Sequence, residues 1–358
     1  MNGLRASTLA GICGAVLGNM VGARMNPSFC TYLVTWRCNA RCIMCDIWRK
    51  KKTYELRLDE IKSVFTQLKG LDAVRISGGE PFLRPDLADV VDVVCDAADP
   101  DIVHLTTNGI LTDDIVGFVE SVSHPQRIHI KVSIDAVGSK HDSIRGVKGA
   151  YRKALDTLSR LNEVRDSYGF YLGVDLTITG NDFEEYEKLW SVCRELGVGL
   201  HPVMAYGSVP LYYPGGDSAY DFPGKLDTFG QFTENDLEEV FSFIEDVNRK
   251  TRDFSEKLAK KYYVKGLKNR LLHARYEPKP RCVALRSHVR INPDGTIPVC
   301  LYNSRVVGDL RKTAFKDVWF GDKIEEQRSW VRKCPGCWAS CELIPNAVYS
   351  GDILRALI

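Results

Sequence analysis

The 358-residue sequence has no internal repeat, no low-complexity tract and no apolar run of membrane-spanning length. It has almost no net charge: 48 Lys and Arg stand against 46 Asp and Glu. That balance gives no pointer to nucleic acid. Histidine is sparse, with seven residues at 104, 124, 129, 141, 201, 273 and 288. No Ser/His/Asp arrangement is visible, so nothing suggests a hydrolytic triad. The scattered histidines read as core or surface fillers, and His201 is the one worth following. The chain is neither short nor evenly studded with cysteine, which argues against a disulfide scaffold. A hydrophobic share of 44% with 26% charged residues is ordinary for a globular protein. The length suits one barrel-sized domain plus a smaller module.

What the sequence does have is clustered cysteine. Eight of its twelve cysteines fall into two groups, 38–45 and 282–341. Grouped thiols in a large chain read as metal sites in a reducing compartment, so the expected location is the cytoplasm. Cys38, Cys42 and Cys45 stand at CxxxCxxC spacing, directly after the apolar run Cys30–Trp36, which reads as a strand. Three thiolates in so short a loop can hold three irons of a [4Fe–4S] cluster and leave the fourth iron open. Zinc is the rival, but structural zinc takes four protein ligands, often as CxxC pairs. Three buried free cysteines are the plain alternative.

Periodicity alternates strand and helix from residue 30 to about 250. Strands are expected at 31–35, 73–77, 102–106, 128–134, 171–178 and 198–204, with helices at 58–68, 87–97, 113–122, 150–164 and 183–196. Six strands joined by helices imply a parallel sheet with right-handed crossovers. The count falls short of eight, so the expected fold is α/β, a partial (β/α)6 TIM barrel, with chemistry at the C-terminal ends of the strands. Tyr206–Gly224, containing Tyr212, Tyr213 and Tyr220, reads as either a lid or a surface loop. Helices are expected at 234–249 and 255–275, with Lys257, Lys260, Lys261, Lys265 and Lys268 forming a solvated face. Further on, Asn292-Pro293-Asp294-Gly295 predicts a β-hairpin between 289–291 and 296–299, followed by a helix over 316–331. Before the first strand, Thr8–Ala23 is apolar and rich in small residues. Gly14, Gly18 and Gly22 would share one helical face, so a helix packed on the protein is expected, with a membrane or partner contact as the other reading.

The Cys38–Cys45 loop resembles the cluster loop of the radical S-adenosylmethionine (SAM) enzymes. In that family the open iron of the [4Fe–4S] cluster chelates SAM, and one electron from the cluster yields a 5′-deoxyadenosyl radical. Position 44 is Met, where the family often has an aromatic. Ser77-Gly78-Gly79-Glu80-Pro81, at the end of the second strand, resembles the motif that meets the SAM amino group, which assigns Gly78, Gly79 and Glu80 to the SAM site. His141-Asp142-Ser143-Ile144-Arg145-Gly146 resembles the HDxxRG segment of members with a cysteine-rich C-terminal domain. By that likeness Ser133 and Arg145 contact the SAM carboxylate or ribose, and Asn108 and Asp135 are weaker candidates at neighbouring strand ends.

The second group, Cys282-x17-Cys300 then Cys334-x2-Cys337-x3-Cys341, resembles the SPASM/Twitch extension that holds auxiliary [4Fe–4S] clusters. A full SPASM pattern needs about seven cysteines. Five are present, which implies one auxiliary cluster. Cys282 and Cys300 are its first ligands, with Cys334, Cys337 and Cys341 competing for two places; a structural zinc site is the alternative. The resulting division is an N-terminal helical segment over 1–29, a radical SAM core over 30–250 and a helical linker over 251–280. A small cysteine-rich β-hairpin/helix module over 281–345 and a tail over 346–358 complete it. The expected activity is oxygen-sensitive hydrogen abstraction from a small molecule, fed by a low-potential donor of flavodoxin or ferredoxin type. About thirty residues precede the first strand, too few for a built-in leader-binding domain, and this favours a small molecule over a peptide substrate. A peptide maturase is the alternative, and a non-catalytic zinc protein the remote one.

Overall fold

The computed structural model describes residues 6–207, 209–213, 228–334 and 336–357. Tyr220, Gly224 and most of the expected lid lie outside the described residues. Helix α1 (Ala6–Val21) precedes the first strand. Then come β1 (Phe29–Thr35), α2 (Leu58–Thr66), β2 (Ala73–Gly78), α3 (Leu87–Ala98), β3 (Ile102–Thr107), α4 (Thr112–Ser121) and β4 (Ile128–Ser133). The barrel continues with α5 (Gly138–Arg145), α6 (Ala150–Tyr168), β5 (Tyr171–Ile178), α7 (Phe183–Glu195) and β6 (Gly199–Met204), and α8 (Glu234–Lys250) and α9 (Phe254–Leu271) follow it. The C-terminal part holds β7 (His288–Ile291), β8 (Thr296–Pro298), β9 (Val306–Asp309), α10 (Phe315–Trp319), α11 (Lys323–Lys333) and α12 (Ser340–Tyr349).

The sheet runs β6-β5-β4-β3-β2-β1-β7 and is parallel throughout. The six expected strands are present, and the partial barrel with them. β7 is an addition: it pairs with β1 from Phe29↔His288 to Tyr32↔Ile291. The predicted hairpin is therefore corrected. The Asn292–Gly295 turn exists, with Gly295 N–H donating to the Asn292 carbonyl and a left-handed φ of 82° at Gly295. It leads from the barrel sheet into β8, whose ladder partner is β9. The apolar pattern 289–291 suits a strand in either sheet, and nothing local names its partner. The single helix expected over 316–331 is two, α10 and α11, separated around Gly321, which approaches the Asp317 carbonyl too closely for a side chain.

Along β2 to β5, residues largely alternate between buried and partly buried, whereas β1 and β7 are buried throughout. Val74, Ile76, Val103, Leu105, Ile130, Val132, Leu172, Val174 and Leu176 are buried in one continuous apolar core. Their neighbours Arg75, His104, Thr106, His129, Lys131, Tyr171, Asp175 and Thr177 stay accessible on the other face. In a barrel that second face is the lumen, so the lumen is lined by polar, partly buried side chains rather than filled with packed aliphatic layers.

Helix α1 packs against α12: Asn19 Nδ2 donates to the Tyr349 carbonyl and to Ser287 Oγ. The expected glycine face is not the packing face. Gly14 meets nothing and Gly22 lies past the helix end, whereas Gly11 abuts Asp72 and Gly18 abuts Met25. Among the described residues no helix is long and apolar enough to cross a membrane.

Candidate active site

The loop after β1 carries Cys38, Cys42 and Cys45, all partly buried. It is fastened on two sides. Gly79 N–H donates to the Thr35 carbonyl and Glu80 N–H to the Arg37 carbonyl, both at 2.8 Å. A Cβ on Gly78 would strike the Thr35 carbonyl, and one on Gly79 the Arg37 carbonyl. The glycines thus serve a close approach of two backbones at the mouth of the barrel. On the other side, Arg41 N–H donates to the Arg145 carbonyl (2.9 Å) and Ile43 N–H to the Ile144 carbonyl (3.0 Å). Gly146 ends α5 with φ 64°, and a Cβ there would sit 2.6 Å from the Arg41 carbonyl.

The HDxxRG residues have separable jobs. His141 Nδ1 accepts the Asp135 N–H at 3.0 Å. The Asp142 carboxylate accepts from Gly149 N–H and Tyr151 N–H, tying α5 to the start of α6. Arg145 meets Asp135 twice, Nε to Oδ2 at 2.6 Å and Nη2 to Oδ1 at 2.9 Å, and its Nη1 points at Cys42 Sγ from 3.7 Å. Asp135 Oδ1 also takes the Thr177 N–H. Burial disfavours the Arg145 charge, yet Asp135 and Cys42 hold its pKa above the ordinary value. The Asp135 carboxylate is therefore spent on positioning Arg145.

Glu80 is 1% exposed, and burial pushes its carboxyl up to about 7 against hydrogen bonds from Asn108 N–H, Thr107 Oγ1 and Phe82 N–H. Asn108 Nδ2 donates to Asn39 Oδ1 inside the cysteine loop, joining β3 to it. Ser133 is buried at the end of β4, and its hydroxyl makes no hydrogen bond among the described residues.

Burial raises the thiol pKa values, Cys38 to about 12 and Cys45 to about 11, and raises that of Cys42 against the pull of Arg145. Such thiols stay protonated unless a metal replaces the proton. Backbone N–H groups two residues on face several sulfurs and favour the thiolate: Ala40 for Cys38, Ile47 for Cys45, Ala284 for Cys282 and Gly336 for Cys334. Asn303 N–H lies 3.3 Å from Cys300 Sγ. Among the described residues no three His, Cys, Asp or Glu converge on one point as a single ion requires. A cluster spreads its thiolates over several irons, and thiols ringing a cavity suit it.

The second group forms such a ring. Cys282, Cys300, Cys334 and Cys337 line a small cavity with Tyr302, Trp330, Val331 and Glu342. Cys341 is not on its wall. It belongs with Cys38, Cys45, Tyr206, Tyr212, Cys300 and Cys337 around the apolar patch of Leu33, Trp36, Leu301 and Ala339. The C-terminal module thus packs directly on the first cysteine loop.

Sequence reasoning singled out His201 but not the lumen around it. His104 and His129 stack edge to face at 5.2 Å, His129 meets Tyr171 at 4.9 Å, and Tyr171 Oη hydrogen-bonds His201 Nε2 at 2.8 Å. His201 Nδ1 faces Glu256 of α9, and Glu256 pairs with Lys260. Lys260, expected on a solvated face, instead turns inward to the Leu200 carbonyl. The signal was the polar side chains at alternate positions of β3 to β5: His104 and Thr106, then His129, Lys131 and Ser133, then Tyr171, Asp175 and Thr177.

The fold and its two thiol groups define a partial (β/α)6 barrel built to carry iron–sulfur clusters. The model of the radical SAM superfamily matches residues 32–197, and that of the SPASM iron–sulfur cluster-binding domain matches residues 282–341. The chain belongs to the radical SAM superfamily and has a C-terminal SPASM domain. Its cofactors are SAM, a [4Fe–4S] cluster and auxiliary iron–sulfur. It is similar to the AdoMet-dependent heme synthase of Methanosarcina barkeri (strain Fusaro / DSM 804), 24% identical over 342 residues and 90% of each chain. It is also similar to the antilisterial bacteriocin subtilosin biosynthesis protein AlbA of Bacillus subtilis (strain 168), 26% identical over 48% of this chain and 38% of that one. In fold it resembles Streptococcus suis SuiB bound to S-adenosylmethionine, with a TM-score of 0.59 at 15% identity over 84% of this chain and 68% of that one.

Proposed function

We propose that the protein reductively cleaves SAM and directs the resulting radical at a small-molecule substrate held in the barrel lumen. The observation that carries this reading is the polar lumen beneath a cysteine loop clamped between the β2 turn and the end of α5. Cys38, Cys42 and Cys45 hold the first cluster; with SAM bound, it supplies the electron that generates a 5′-deoxyadenosyl radical. The Gly78–Glu80 turn receives the SAM amino end, where the Glu80 carboxylate offers a counter-charge. Ser133 supplies a free hydroxyl, and Arg145, aimed by Asp135, supplies a cation beside Cys42. Asn108 keeps the loop in register with β3. Cys282, Cys300, Cys334 and Cys337 hold the auxiliary cluster, and Cys341 is left outside it. The chain's own contribution is orientation and exclusion of water and oxygen. A flavodoxin- or ferredoxin-type protein delivers the electron.

The similarity to a heme synthase along 90% of both chains supports a small molecule. A peptide substrate is the second reading, supported by the partial similarity to AlbA. The test uses anaerobically reconstituted protein with SAM, reductant and a cell extract. We expect a protease-treated, low-molecular-mass fraction to raise 5′-deoxyadenosine formation. Stimulation that protease abolishes would contradict the small-molecule reading.

A further inference from the structure

One basic group of the lumen stands outside its ion pairs. Three of its basic groups have carboxylate partners: Lys131 pairs with Asp175 at 3.2 Å, Lys260 with Glu256 at 2.5 Å, and Arg290 with Glu342 at 2.5 Å. Asp253, near His129, is used to cap α9 through Glu256 N–H. Burial lowers the pKa values of His104, His129 and His201, so these rings add no charge at neutral pH. Arg75 is the fourth cation, and no carboxylate among the described residues lies within ion-pair distance of it.

Arg75 sits at mid-strand in β2, in register with Thr31 of β1 and His104 of β3. Its neighbours Val74 and Ile76 are buried in the core, while Arg75 itself is only partly buried on the lumen face. The guanidinium lies over the Phe29 ring, 5.1 Å from its centre. One donor is used: Nη1 bonds the Cys341 carbonyl at 2.9 Å. That carbonyl needs an outside donor because Pro345, four residues on in α12, has no N–H to give it. The bond fixes the guanidinium between β2 and the first turn of α12, and Nε and Nη2 make no other hydrogen bond among the described residues. A guanidinium set in place with an open edge is suited to bidentate capture of a carboxylate. Holding such a charge unpaired in a partly desolvated chamber is costly, and an anionic ligand group offsets that cost.

We propose that Arg75 anchors a carboxylate group of the substrate in the barrel lumen, below the SAM site. The inference rests on the enzyme reading above and narrows its substrate class to carboxylate-bearing small molecules. The test is anaerobic calorimetric titration of the reconstituted full chain with acetate, succinate, benzoate and 3-indolepropionate, each against its neutral amide. Wild-type protein is expected to bind carboxylates and not amides. Arg75→Met is expected to weaken that binding roughly 30-fold or more, the size of losing one partner of a buried hydrogen-bonded charge pair. Arg75→Lys keeps a donor for the Cys341 carbonyl, and so the packing of α12, but loses the fork; it is expected to bind more weakly than wild type and more tightly than Arg75→Met. The anchor is overturned if no carboxylate binds better than its amide, or if Arg75→Met binds as wild type does. Iron content and the change in the cluster's electron paramagnetic resonance signal on adding SAM are read on the same samples. Failure of those two readouts sinks the enzyme reading itself, so the two failures are distinguishable.

Discussion

Removing the Asp135 carboxylate isolates what holds the cysteine loop. Asp135 is fully buried and the Arg145 side chain is 9% exposed, so their two contacts at 2.6 and 2.9 Å are poorly screened by water. Breaking a buried pair from one side costs about 3–5 kcal/mol, because the surviving charge stays buried without compensation. Asp135→Asn keeps the shape and leaves the guanidinium facing a neutral amide. Asp135→Ala also strips the Thr177 N–H of its acceptor, adding about 1–3 kcal/mol. At about 2–4 °C per kcal/mol for a domain of 150–250 residues, Asp135→Asn should lower the melting midpoint of the metal-free protein by roughly ten degrees, and Asp135→Ala by more. The damage should reach the loop, since the Arg41 and Ile43 N–H groups hang on the Arg145 and Ile144 carbonyls. Reconstituted variants should then hold iron at the auxiliary site and lose it at the first. The double variant Asp135→Leu/Arg145→Met removes both charges, so it should regain much of the stability without regaining the SAM response. A melting midpoint within about one degree of wild type for Asp135→Asn, with full iron content, would show that this ion pair does not hold the loop.

Three further outcomes follow from particular contacts. Glu80 keeps its proton to about pH 7 in the folded chain but releases it near 4.5 when unfolded; its contribution to stability is therefore whole below pH 4.5 and lost as pH rises through 7. A SAM ammonium beside it should favour ionisation, so SAM affinity should rise between pH 6 and 8, and Glu80→Gln should flatten that rise in a binding titration. Cys341→Ser should keep the auxiliary iron, whereas Cys282→Ser or Cys337→Ser should lose about four irons per chain; equal losses in all three would show the ligand set to be wrong. Gly266 of α9 faces the Trp338 ring, which stacks on Tyr262 and under Arg270, so Gly266→Ala should destabilise by about 1–3 kcal/mol through overpacking, read by denaturant unfolding.

The barrel was legible because its signal is local and repeated: six apolar strands spaced by amphipathic helices leave few parallel topologies. That the cysteine loop, the Gly78–Glu80 turn and Arg145 meet in space was legible because the family resemblance rests on those residue types at fixed spacing. What the sequence concealed depends on distant partners. Asp135 looked like a ligand contact; only the fold shows both its oxygens engaged by Arg145 and Thr177. Lys260 shared its spacing with surface lysines; its partner Glu256 lies one turn back on the same helix, and only the packing of α9 against β6 shows it turned to the Leu200 carbonyl. Cys341 could not be separated from Cys334 and Cys337 by spacing, because the separation is made by which face of the α12 entry lines the cavity. Arg75 reads as an ordinary strand residue until β1, β3 and α12 surround it.

The most direct test of the central claim is 5′-deoxyadenosine formation by the reduced, anaerobically reconstituted protein, with iron counted on the same sample. Two [4Fe–4S] clusters should give about eight irons per chain, with SAM-dependent 5′-deoxyadenosine. The Cys38→Ala/Cys42→Ala/Cys45→Ala variant should hold about four irons and form no 5′-deoxyadenosine. Intact SAM in the wild-type reaction, or product formation by the triple variant, would contradict it.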